Sequence, residues 1–166
     1  MKVTKATAYA LHGLMYMVRH ITQLPVTTGT IAKAEGIPPG YLAKIFQQLV
    51  KARFVRAVKG KDRGYVFAKS PEEINLLDLF EVIEGEALFS DCLLKHCECG
   101  GTPENCYIYA QWVSATKKIK QLLSETSLVT AAWNHPEHRF YSLPESLEAA
   151  KSKPSRKVAK SKIEVS

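Results

Sequence analysis

The chain has 166 residues, 46% of them apolar, and a formal net charge of +7. That is enough to bury a proper core, and no apolar run reaches the ~18 residues of a membrane span. The charge is partitioned: residues 1–69 carry 12 Lys/Arg against 2 acids, residues 70–149 carry 5 against 13, and residues 150–166 carry 6 against 1. A basic N-terminal lobe beside an acidic middle is the footprint of a polyanion bound by one lobe only.

The first stretch, MKVTKATAYALHGLMYMV, has the basic start and apolar run of a signal peptide. His12 interrupts that run, its apolar period is helical, and no small-residue cleavage site follows. It reads as a mature first helix over 4–22, with Leu11, Leu14, Met15, Val18 and Ile21 as the core stripe, in a cytoplasmic protein. Pro25 stops it. Thr28 or Thr30 can cap a short second helix, TIAKAEG, which Gly36 closes. The run PPGYLAKIFQQLVKA then places Pro39 in the first turn of a third helix, where a missing N–H costs nothing. Leu42, Ile45, Phe46 and Leu49 form its core stripe. Gly40, Tyr41, Lys44, Gln48 and Lys51 fall elsewhere, and none is acidic.

Two short β-rich runs come next, FVRAV and GYVFA, joined by KGKDRG with Lys59, Lys61 and Arg63 at the tip. A helix-turn-helix leading directly into a hairpin is a winged helix. Its third helix would lie in the major groove of double-stranded DNA, and its basic tip would reach phosphates or the minor groove. An ordinary helical lobe with a surface hairpin is the plainer alternative, as is a basic lobe that binds an acidic protein. Asn75 and Asp78 resemble a capping box opening a helix that Gly85 ends. The fold class expected is therefore mostly α with a β-hairpin wing.

All four cysteines, Cys92, Cys97, Cys99 and Cys106, lie in CLLKHCECGGTPENC. In a reducing cytoplasm such clustering points to metal or redox chemistry rather than a disulfide framework. The spacing, C-x4-C-x-C-x6-C, is neither a ferredoxin pattern nor a pair of C-x2-C zinc knuckles, so by itself it leaves the metal open. Zinc and a metal-free thiol switch compete with an iron–sulfur cluster. An enzyme is disfavoured, because neither a Gly-rich phosphate loop nor a C-x-x-C within a βαβ pattern occurs.

Thr102, Pro103 and Glu104 read as the start of a long helix to about Ser124, with Cys106 in its first turn, where free N–H groups favour a thiolate. Ile108, Trp112, Ala115, Ile119 and Leu122 are spaced 4, 3, 4, 3 along it, the seam of a homodimer contact. SLVTAAW suggests a last short helix. Residues 144–166 are lysine-rich and poor in large apolar side chains, a composition that disfavours folding. The expected organisation is a DNA-binding domain over 1–85, a cysteine-rich loop over 86–101, a dimerisation helix and short helix over 102–143, and a basic tail over 144–166.

VTKATAYALHGLMYM, GIPPGYLAKIFQQLVKA, the wing ending in RGY, INLLDLFEVIEG and the cysteine loop resemble, in that order, the Rrf-two family of bacterial transcription regulators, to which IscR, NsrR and RirA belong. The resemblance covers about residues 1–130. It implies a winged-helix dimer joined by the long helix, with a cluster-binding branch in which three loop cysteines ligate a [2Fe-2S] or [4Fe-4S] cluster that senses redox state, nitric oxide or iron. The matching positions are Cys92, Cys99 and Cys106, with six residues in each gap, and Cys97 is an addition. Family members that take a fourth ligand from a histidine after the third cysteine, or from an aspartate in the first helix, have Tyr109 and Ala8 as counterparts here. The fourth position is left to Cys97, His96 or His12.

Overall fold

The structure, a computed structural model, describes residues 3–85, 89, 92 and 100–134. Cys97, Cys99, His96 and both segments 135–143 and 144–166 lie outside the described residues, so the expectations resting on them stay with the sequence.

Among the described residues, six α-helices and one hairpin are arranged in the order α1 (Lys5–Arg19), α2 (Thr28–Glu35), α3 (Pro39–Lys51), β1 (Val55–Val58), β2 (Gly64–Phe67), α4 (Leu76–Glu84), α5 (Tyr107–Glu125) and α6 (Leu128–Asn134). The core is built on the stripes that helical spacing predicts. Leu14, Met15 and Val18 of α1 meet Leu42, Ile45, Phe46 and Leu49 of α3, all buried. Leu11 is only partly buried, and Ile21 is 50% exposed rather than core. The reason is that α1 ends at Arg19. The His20 ring stacks on Tyr16 and its Nδ1 lies 2.9 Å from the Tyr16 carbonyl oxygen, satisfying a last-turn carbonyl and turning the chain into a short 3-10 segment, Ile21–Gln23.

The cap of α2 is Thr27, not the expected Thr28 or Thr30. Its Oγ1 accepts from Thr30 N at 3.1 Å, because a cap side chain reaches the third helical residue and Thr30 is that residue. Gly36, in the left-handed region, closes α2, and Pro39 opens α3, as expected. Strands β1 and β2 pair antiparallel, Val55 opposite Phe67 and Val58 opposite Gly64. The linker before α2 joins this hairpin through an antiparallel bridge between Val26 and Tyr65, with N–H···O distances of 3.1 and 2.8 Å. The Tyr65 ring meets Phe46 edge-on at 5.0 Å. The wing is thereby fastened to the helix-turn-helix from two sides.

Asn75 caps α4 by accepting from Asp78 N at 2.8 Å. The long helix begins at Tyr107, later than Thr102 and Pro103 suggest. Asn105 is the cause: its Oδ1 accepts from Thr102 N at 2.6 Å, closing a separate turn, and Cys106 becomes the N-cap of α5 instead of lying inside its first turn. The short helix α6 does form. It packs back on α1, with Leu128 and Ala132 in the core and Arg19 donating to the Ala132 carbonyl at 2.9 and 3.1 Å.

Candidate nucleic-acid interface and cysteine site

Burying Leu42, Ile45, Phe46 and Leu49 leaves the opposite side of α3 for a partner. Pro39, Gly40, Tyr41, Lys44, Gln48 and Lys51 are all exposed. Tyr41 is 47% exposed, and its ring makes an edge-on contact with Tyr9 of α1, with centroids 5.7 Å apart. Lys59, Lys61 and Arg63 are exposed at the wing tip. Between wing and α2 runs an open groove of about 390 Å³, lined by Thr27, Thr28, Ala57, Val58, Arg63, Gly64 and Tyr65. Two threonine hydroxyls, an arginine and the positive end of α2 suit a backbone phosphate there. The candidates for DNA contact read from sequence thus lie on α3, from Pro39 to Lys51, and at the wing tip, and Thr28, a further candidate, opens α2.

Sequence reasoning missed two residues of this interface region. Gly64 looks like ordinary turn glycine in sequence. A Cβ built on it would lie 2.8 Å from the Val26 carbonyl carbon, so only glycine lets the linker and wing approach this closely. Glu35 looks like a surface acid on a short helix. It is buried, and its Oε2 lies 3.1 Å from Nδ1 of His12.

Of the candidate thiols, Cys92 and Cys106 are described, both half-buried. Thiolates are the donors that iron–sulfur clusters take, so these two residues fit such a group by their chemistry. Among the described residues no cluster of three or more His, Cys, Asp or Glu is assembled for a metal. His12 sits in the α1–α2 interface, its side chain 9% exposed and engaged with Glu35. Service as a ligand would require it to leave that pair.

On α5 the five seam residues divide. Ile108 (49% exposed), Ala115 and Leu122 (64%) face outward, while Trp112 and Ile119 are half-covered by their own chain. No helix among the described residues is long and apolar enough to cross a membrane.

The sequence model of the Rrf2 family, described as an iron-dependent transcriptional regulator, matches residues 3–132. The chain belongs to the Rrf2 family. The HTH-type transcriptional regulator IscR of Aliivibrio salmonicida is 28% identical over 128 residues, which is 77% of this chain and 75% of that protein. Among solved structures, CymR, the global cysteine regulator of B. subtilis, superposes with a TM-score of 0.70 at 21% identity, covering 82% of this chain and 99% of CymR. T. potens IscR superposes with a TM-score of 0.63 at 22% identity, covering 83% and 94%. Rrf2 proteins are DNA-binding transcription regulators rather than enzymes.

Proposed function

We propose that this Rrf2 protein acts in the cytoplasm as a homodimer that reads redox state, nitric oxide or iron supply through an iron–sulfur cluster held by Cys92, Cys99 and Cys106. The observation that carries the reading is the placement of the thiols: every cysteine of the chain lies in the segment joining α4 to α5, and the last one caps the proposed dimer helix. A cluster bound there would supply one-electron redox and ligand-exchange chemistry. The protein's own residues do the rest. Lys59, Lys61 and Arg63 neutralise phosphates, and Tyr41, Lys44 and Gln48 meet base edges. The outward residues Ile108, Ala115 and Leu122 pair two α5 helices, so two α3 helices address two half-sites at once.

A zinc-bound or metal-free thiol switch in the same loop is the second reading. Its support is the likeness of fold to CymR, whose Staphylococcus aureus homologue has an oxidized form. Selection of a duplex from a random-sequence library by anaerobically purified protein tests the DNA side. Replacing Lys61 or Arg63 with Ala should weaken all sequences alike and lower the salt slope by ~1 per lost phosphate contact. Replacing Tyr41 or Lys44 should alter the selected sequence. Indifference to both kinds of change would remove α3 and the wing from the interface.

A further inference from the structure

We propose that Glu84 is the positioning residue through which the cysteine segment acts on the DNA-binding helices; this rests on the proposed sensing role of that segment. Glu84 is the last residue of α4. Its Oε1 accepts from the N–H and the hydroxyl of Thr4, each at 2.7 Å, and from the hydroxyl of Thr7. Thr4 is the N-cap of α1, whose first turn contains no acid. Glu84 therefore supplies, from 80 residues away, the anion that the positive end of α1 lacks. Partial burial works against its ionisation, but the hydrogen bonds from Thr7 and Thr4 outweigh that and hold the carboxyl below its ordinary value.

The chain beyond Glu84 ties this contact to the cysteines. Gly85 leaves the helix at φ 86°, ψ 159°, a backbone region open essentially to glycine alone, and the cysteine segment starts there. Phe89 of that segment is buried, with Lys120 of α5 5.5 Å over its ring. Lys120 also reaches Glu81, one turn before Glu84, at 3.7 Å. The last turn of α4 thus touches the dimer helix through Glu81, the cysteine segment through the chain itself, and the DNA-binding lobe through Glu84.

On the DNA-binding side, α1 carries the connection. Tyr9 contacts Tyr41 at the start of α3, and His12 holds Glu35 at the end of α2. From Thr4 to His12 is about 12 Å of rigid helix at ~1.5 Å per residue. Core contacts around Leu14 and Met15 resist small displacements, because close-packed interiors do not deform continuously. Hydrogen bonds at the helix edge can exchange with water. One carboxylate oxygen holding three donors is the contact that a shift of α4 would break.

The test compares the full-length wild type, Glu84→Ala, Thr7→Val and Thr7→Ser on the duplex selected by the wild type, at one fixed salt concentration. Each Kd is measured before and after treatment with a chelator and iodoacetamide, which strips any bound metal and blocks the cysteine thiols. In the wild type the two values should differ by about tenfold, within the usual range of coupling between sites. In Glu84→Ala and Thr7→Val they should agree within about twofold, and Thr7→Ser should restore the difference. A purely structural role would weaken binding in both states and leave the ratio intact. Wild-type ratios retained in both Glu84→Ala and Thr7→Val overturn the proposal. Should Glu84→Ala fail to fold, the near-isosteric Thr7→Val decides. A wild-type ratio of one overturns the sensing role itself, and with it any coupling for Glu84 to transmit.

Discussion

Nδ1 of His12 lies 3.1 Å from Oε2 of Glu35, with both side chains about nine-tenths buried between α1 and α2. Removing the imidazole would leave a carboxylate in the core without this hydrogen bond. His12→Leu should cost about 1–3 kcal/mol in urea unfolding. Iron content per folded protein should stay at the wild-type level. Loss of iron with unchanged stability would return His12 to the ligand set.

The wing offers a second stability test. In Gly64→Ala the new methyl group would sit 2.8 Å from the Val26 backbone, forcing apart the two hydrogen bonds between Val26 and Tyr65. A loss of roughly 1–3 kcal/mol is expected, the usual cost of overpacking. Duplex affinity should fall as well, because Arg63 is carried next to the displaced strand. An unchanged melting curve would mean that this bridge does not hold the wing.

Much of this architecture is legible in the sequence because it rests on local rules. Helical spacing marks Leu42, Ile45, Phe46 and Leu49, and the same spacing leaves Tyr41, Lys44 and Gln48 outside. Gly36, Pro39 and Asn75 mark boundaries through their own backbone and side-chain chemistry. Local rules falter where other contacts decide. Ile21 fits the α1 stripe, yet His20 ends the helix first. Pro103 looks like a helix start, yet the Asn105 side chain closes a separate turn. Glu35 and Glu84 carry the sign of surface acids, and only the fold brings them to His12, Thr4 and Thr7. No spacing rule reports a hydrogen bond across 80 residues.

Dimer formation is best tested where the single chain leaves the seam uncovered. Ile119 is half-buried against its own fold, so a charge there would confuse folding with assembly. Leu122 is 64% exposed, so Leu122→Glu leaves the monomer intact. In a two-fold contact it buries two like charges, a cost of several kcal/mol that separates the subunits. Light scattering should show folded monomers with weakened duplex binding. A dimer of wild-type strength would place the interface away from this face of α5.

Acid should act through Glu84. Its folded pKa lies below the ordinary 4.5, so the native state holds its proton less readily than the unfolded chain. The stabilising contribution is then fully present above pH 4.5 and is lost as pH falls through the lower, folded value. Wild type should be more stable than Glu84→Gln near pH 6, and the two should converge as pH falls through the lower, folded value. Urea unfolding at a series of pH values reads the gap. A gap independent of pH would show that the carboxylate charge is not what holds Thr4 and Thr7.

Whether the cysteine segment holds an iron–sulfur cluster is tested most directly by the visible absorption of the anaerobically purified protein, with iron and acid-labile sulfide assays. The wild type should be brown and contain both elements. Cys92→Ala, Cys99→Ala and Cys106→Ala should each be colourless, while Cys97→Ala should keep its iron and its spectrum, since Glu98 alone separates it from Cys99. Loss of the cluster in Cys97→Ala with retention in Cys99→Ala would exchange those two assignments. A colourless wild type, with zinc or with no metal, would contradict the cluster assignment and leave the loop as a thiol or zinc switch.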